Sequence, residues 1–135
     1  MSQYFEELDY APTPIGPVSL RRRYVFAVGV DVLEVLLGEE HLMSSLFTAS
    51  ELALGDLGVK ACRADKPDVL VAGLGLGYTA QAALDYTHVA RVDVVDYLQP
   101  IIRWHEEGLI PQAPDQPNLK ADKRCRVIHG DFFAL

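Results

Sequence analysis

Cysteine, basic side chains and long apolar runs are all scarce in this chain. The two cysteines among 135 residues, Cys62 and Cys125, stand far apart with no ligand-type neighbours. With no signal-like leader ahead of them, the expectation is two free, buried thiols in a reducing cytoplasm. Four histidines (His41, His88, His105 and His129) are dispersed without HExxH or CxxC-type spacing, and no metal is expected. No apolar run approaches the roughly 18 residues that a membrane span requires. Lysine and arginine total 12 against 19 aspartates and glutamates, a formal net charge of −7. Such a balance repels a phosphate backbone unless one face is locally basic. The clusters that exist, Arg21-Arg22-Arg23 and the scattered Lys120, Lys123, Arg124 and Arg126, read as solvated edges. Neither nucleic acid nor a membrane is expected as a partner.

What is present is an ordinary globular composition, 50% apolar and 23% charged, in a length that buries one core. Residues 1–14, acidic and then proline-punctuated, read as a tail or a loosely docked leader. From Ile15 to about Ser45 the β-branched and aromatic texture of VSLRRRYVFAV and VDVLEVLL predicts strands, with turns near Gly29 and Gly38 and a short strand at His41–Ser44. TASELALGDLG predicts a helix: Thr48 and Glu51 fit a capping box, and Gly58 supplies a stop. The polar ADKPD segment marks a boundary, giving an N-terminal region of residues 1–63 and a second region of residues 64–135.

Beyond that boundary the pattern alternates. Val69–Ala72 is a strand, Tyr78–Tyr86 a helix, Arg91–Asp96 a strand, and QPIIRWHEEG a helix with Pro100 in its first turn and Gly108 at its stop. A proline-broken crossover (Pro111, Pro114, Pro117) leads to a third strand at Arg126–Gly130. The order β-α-β-α-β is the first half of a doubly wound parallel sheet.

The chemistry centres on VLVAGLGLGYTAQAAL, where a buried-type strand meets Gly73, Gly75 and Gly77 before a helix. Glycine is needed there for positive φ and for close approach of a ligand to the backbone. A phosphate loop is excluded because no lysine follows, and the dinucleotide fingerprint fails because its last glycine would fall on Tyr78. The remaining G-x-G-x-G pattern is that of loops binding S-adenosyl ligands; close packing alone is the competing reading. Asp96 ends the second strand, where a carboxylate accepts from both ribose hydroxyls or favours the following helix N-terminus. Asp131 ends the third strand, placed for an adenine amino group or for a simple turn cap. Tyr78 either faces the ligand or seals the loop. Trp104 reads as core, and His105 as a helix-surface or packing residue. The hydroxyls in Met43-Ser44-Ser45 either contact an acceptor or cap the helix near Thr48.

On these residues the chain resembles the spermidine synthase family of polyamine aminopropyltransferases, within the class I S-adenosylmethionine-dependent methyltransferase-like fold. HLMSSLFTASELAL stands where that family has its substrate-side strand and helix, DVLVAGLGLGYTAQAAL resembles its glycine motif, VDVVDYLQP its ribose segment and VIHGDFF its adenine segment. The resemblance implies an α/β chain: a small N-terminal β-region followed by the first half of a Rossmann-like methyltransferase sheet. It implies that Gly73, Gly75 and Gly77 line a sulfonium nucleoside, Asp96 holds its ribose and Asp131 its adenine. The ligands implied are S-adenosylmethionine, its decarboxylated form or methylthioadenosine, with an amine as acceptor. Two departures bear on activity. The family's loop aspartate, which helps hold the donor's ammonium, is Leu76 here, and of its Tyr-His-Glu only Glu51 remains at Ala49-Ser50-Glu51. The segment carrying the family's catalytic aspartate lies beyond the fourth strand, so no catalytic residue is assigned and the chain is expected to be an N-terminal half. A fourth strand would pair with the first. Without it Val69–Ala72 is an open edge, for which a homo-oligomer is the expected cover. A well-behaved monomer with an intact sheet would count against that. The expected function is therefore alkyl (aminopropyl or methyl) transfer from an S-adenosyl-type donor, or part of it. The alternative is a non-catalytic nucleoside-binding or oligomerising module.

Overall fold

The computed structural model describes residues 3–111 and 119–135. Most of the expected proline-broken crossover, including Pro114 and Pro117, lies outside the described residues. The chain forms two compact units, Met1–Thr48 and Ala49–Leu135. The division falls at Thr48 rather than at the ADKPD linker because the intervening helix packs against a helix of the second unit.

The first unit is an antiparallel meander, β1 (Phe5–Ala11), β2 (Val18–Val25), β3 (Val30–Leu37) and β4 (Glu40–Ser44), in that spatial order. Its core comes from the inward side chains Val18, Leu20, Val32 and Val35, all almost wholly buried. The expectation of a tail or a loosely docked leader over residues 1–14 is corrected by β1, a strand paired antiparallel with β2. Its Glu6 is ion-paired, lying 3.5 Å from Arg22. The Phe5 ring lies beneath the Arg21 guanidinium at 5.6 Å, and Tyr4 packs on Phe26 at 4.8 Å between ring centres. Composition alone hid this, since the cations that complement the leader sit a turn away on β2. Ser45 Oγ accepts from the Leu33 N–H (2.9 Å) and Ser44 Oγ from the Leu46 N–H (3.0 Å), so both hydroxyls brace the end of β4.

Arg21 and Arg23 are not a solvated edge either. They flank Glu34, which is 1% exposed, at 3.3 Å and 2.6 Å, and His41 Nδ1 lies 3.2 Å from the same carboxylate. Burial by itself would raise the Glu34 carboxyl, but hydrogen bonds and charge from Arg23 and Arg21 outweigh it and hold the group below its ordinary 4.5. A carboxyl depressed in the folded state stabilises the fold above its unfolded value, and that contribution is lost as pH falls through the folded value. We therefore expect Glu34→Gln to destabilise the first unit by about 1–2 kcal/mol at pH 7, a figure below that of a fully buried pair because both arginines are partly exposed. The gap between variant and wild type in urea denaturation should close as pH drops from 5 towards 3. A gap that stays constant over that range would show that the ion cluster does not carry the effect.

The second unit is a parallel sheet with helices, α1 (Ala49–Ala61), β5 (Asp68–Ala72), α2 (Tyr78–Leu84), β6 (Arg91–Asp96), α3 (Gln99–Glu106) and β7 (Cys125–His129), closed by a 3-10 turn at Phe132–Ala134. Strand order is β5-β6-β7. The central β6 is buried along Val92, Val94 and Val95, as a strand covered on both faces must be. Trp104 is fully buried on α3. Helix α1 continues through Gly58 to Ala61, so Gly58 is not its stop. A Gly58 Cβ would meet nothing within 4 Å, which makes the residue an exposed helical glycine without a turn to make. Arg124, expected at a solvated edge, instead donates to the carbonyls of Leu84 (2.7 Å), Tyr86 (2.9 Å) and Val89 (3.1 Å) while paired with Asp122 at 2.8 Å. It thereby ties the end of α2 to the loop that leads into β6. Cys62 and Cys125 are free, but Cys62 is exposed rather than buried. Burial, reinforced by the Asp122 and Asp93 charges, pushes the Cys125 thiol up to about 11. Among the described residues β5 is an edge strand, with Leu70 53% exposed. No helix among them is long and apolar enough to cross a membrane.

Candidate functional site

Parallel pairing sets the site. Ala72 is in register with Val95, and Asp96 with His129, so the glycine turn, Asp96 and the segment carrying Asp131 all leave the same end of the sheet. The Gly73 N–H continues the ladder to the Val95 carbonyl (2.8 Å), and the Gly77 N–H closes the turn on the Leu74 carbonyl (2.8 Å). Between them, Gly73, Gly75 and Gly77 take φ of +103°, +50° and +92°. Side chains other than glycine adopt such φ only at a cost. Leu74 and Leu76 alternate with them and are both buried. The loop is therefore a ratchet of inward leucines and left-handed glycines. Leu76, where the resembling family carries an aspartate, is a core side chain.

Asp96 is the hub. Its Oδ2 accepts from the Leu74 N–H at 2.8 Å and its Oδ1 from the Leu98 N–H at 2.8 Å, tying the glycine turn to the start of α3. The helix-terminus reading of Asp96 is thus realised, and the loop contact adds a second task. A carboxylate has about four acceptor positions, so these two bonds leave room for a ligand's hydroxyls. Access is narrow, since Asp96 is 8% exposed. Asp131 is exposed, and its Oδ1 accepts from the Phe133 N–H at 3.0 Å, capping the 3-10 turn. A Cβ placed on Gly73 would meet nothing within 4 Å, so the rim there is clear for close approach. At Gly77 a Cβ would lie 2.9 Å from Leu119 Cδ1 and 3.3 Å from His105 Cε1, so that glycine is packed on its inner side.

Tyr78 opens α2 half-buried. Burial first, and then the Glu51 charge, raise its phenol above the ordinary 10, keeping it neutral. Glu51 therefore stands near the loop's exit, and its carbonyl accepts from Thr79 Oγ1 at 3.0 Å. His105, expected on the helix surface or in packing, takes a more specific place. Its Nε2 lies 2.7 Å from the Gly75 carbonyl, a direct contact with the loop. The signal for it was its spacing, three and four residues after the buried Ile102 and Ile101, on the face that α3 turns inward. Among the described residues, no cluster of three or more histidine, cysteine, aspartate or glutamate side chains is arranged to hold a metal ion.

These features define an antiparallel β-unit followed by the opening β-α-β-α-β of a Rossmann-like α/β sheet, with a glycine turn braced by an acidic strand end. The chain is similar in structure to the spermidine synthase from Thermotoga maritima (TM-score 0.65, 13% identity, covering 93% of this chain and 40% of that one). It is similar as well to a spermidine synthase solved in complex with the transition state analogue AdoDATO (TM-score 0.64, 13% identity, 92% and 39% covered). No protein-family model and no curated protein matches it. The likeness shows the fold, consistent with an N-terminal half, and the chain spans about 40% of the length of those structures.

Proposed function

We propose that the carboxyl end of the β5-β6-β7 sheet binds an S-adenosyl-type nucleoside, as the donor half of a spermidine synthase-like transferase. The observation that carries this reading is the Asp96 carboxylate, fastened to the Leu74 N–H beside a turn of three left-handed glycines. That arrangement presents acceptors for a ribose diol next to a backbone clear of side chains at Gly73. Asp131 lies on the neighbouring strand end, where its second oxygen suits an adenine amino group. When bound, a sulfonium nucleoside supplies an electrophilic carbon for attack by an amine or another nucleophile. The chain's own share is to grip and orient the donor, which is where much of the rate of such a transfer originates.

The alternative, a nucleoside-binding module without transfer, is favoured by one observation. Leu76 is buried, so the loop offers no carboxylate to a donor ammonium. Calorimetric titration of the chain with S-adenosylmethionine, its decarboxylated form and methylthioadenosine tests both readings. We expect binding of at least one ligand, abolished by Gly75→Val, because that φ of +50° is strained for a β-branched residue. A preference for the decarboxylated donor supports aminopropyl transfer, and equal binding of methylthioadenosine supports the module. Absence of heat with all three would end the nucleoside reading.

A further inference from the structure

We propose that His105 is the positioning residue of the glycine turn: its imidazole holds the Gly75 carbonyl and so sets the loop shape that a nucleoside meets. The ligand in this proposal rests on the reading above; the geometry does not. Gly75 is the central residue of G-L-G-L-G, and, as a glycine that tolerates either sign of φ, it needs an outside contact to fix its peptide. His105 Nε2 stands 2.7 Å from its oxygen. A carbonyl only accepts, so Nε2 carries the hydrogen and Nδ1 is the bare nitrogen of a neutral ring. The same ring reaches the next glycine in the pattern, with Cε1 3.3 Å from where a Gly77 Cβ would stand. One side chain therefore spans two of the three left-handed positions from below.

The loop is then anchored at consecutive residues by groups of opposite polarity. Asp96 on β6 accepts from the Leu74 N–H, and His105 on α3 donates to the Gly75 carbonyl. Asp96 thus holds the peptide plane that enters Leu74, and His105 holds the one that leaves Gly75. Burial keeps the imidazole below its ordinary 6.5, the Gly75 carbonyl and the Asp96 charge oppose that, and Lys120 adds to it. The ring thus acts as a neutral donor at pH 7.

Two variants separate this role from simple packing. His105→Leu fills comparable space without a donor, and His105→Gln keeps an amide N–H for the Gly75 carbonyl. In the unmutated protein, ¹H–¹⁵N spectra of the imidazole should show a protected Nε2–H. We expect His105→Leu to speed amide exchange across Gly75–Gly77 by about tenfold and to weaken methylthioadenosine binding by about tenfold, the effect of one buried hydrogen bond. His105→Gln should recover most of both. An Nδ1–H tautomer, or loop exchange unchanged in His105→Leu, would overturn the proposal. So would a Gln variant that rescues neither quantity. If the leucine variant does not fold, the tautomer and the loop exchange of the Gln variant decide. If the unmutated protein binds no nucleoside while loop exchange responds as described, the nucleoside reading fails and the positioning role stands.

Discussion

Asp96→Ala should unfasten the glycine turn and lower the stability of the second unit by about 3 kcal/mol, the sum expected when two backbone donors lose a charged acceptor in a nearly buried setting. Both N–H groups, Leu74 and Leu98, sit 2.8 Å from its oxygens, and neither residue has more than a few per cent of its surface in contact with solvent. Asp96→Asn should cost about half as much, since one amide oxygen still accepts while the amide nitrogen faces a second donor. Urea denaturation followed through Trp104, the single tryptophan, reads this directly because it is buried on α3, whose start Asp96 holds. Nucleoside affinity should fall further in Asp96→Ala than loop disorder alone produces. His105→Leu gives the comparison, because it loosens the same turn while leaving the carboxylate in place. An Asp96→Ala protein within 0.5 kcal/mol of wild type, about the scatter of neutral surface changes, would show that the carboxylate does not organise the loop.

The second unit was readable in sequence because its signals are local. Val69–Ala72 and Arg91–Asp96 are apolar runs of strand length, and Gly73, Gly75 and Gly77 sit where a strand turns into a helix. Each of those features is decided within a few residues. What escaped was decided across the fold. Residues 1–14 read as a tail or a loosely docked leader because the partners of Phe5 and Glu6, Arg21 and Arg22, lie on β2, a hairpin away in sequence. Arg124 looked like an edge cation because the three carbonyls it satisfies belong to residues 84–89, some 35–40 positions earlier. Gly58 looked like a helix stop, yet α1 runs on because nothing at that position demands positive φ. At the site, Asp96 was legible by position, whereas its bond to the Leu74 N–H depends on β5 and β6 lying in register. His105 is the sharpest case. Its helical spacing indicated burial, but only the arrival of the glycine turn against α3 makes it a ligand of the loop.

Gly55 shows the same dependence on tertiary contact, with a large expected effect. By helix propensity, Gly55→Ala should stabilise α1 by up to about 1 kcal/mol. The structure predicts the opposite sign. A Cβ there would stand 2.5 Å from the Thr79 carbonyl oxygen, 2.8 Å from Ala82 Cβ and 3.2 Å from the Ala83 nitrogen. Two of those three atoms are backbone, so no side-chain rotation relieves the overlap and α1 must move away from α2. That shift strains the Thr79 hydroxyl bond to the Glu51 carbonyl and the hydrogen bond from Tyr86, just beyond α2, to Asp56 on α1. We expect a net loss of about 2–3 kcal/mol, overpacking outweighing propensity. Gly58→Ala, one turn on in the same helix, is the matched control, and with open space at its Cβ it should gain about 0.5–1 kcal/mol. Opposite signs for the pair in thermal or urea unfolding would establish close helix contact at Gly55. Equal gains at both positions would mean that α1 and α2 are not in close contact at Gly55, and Glu51 would then lose its reason to stand beside Tyr78.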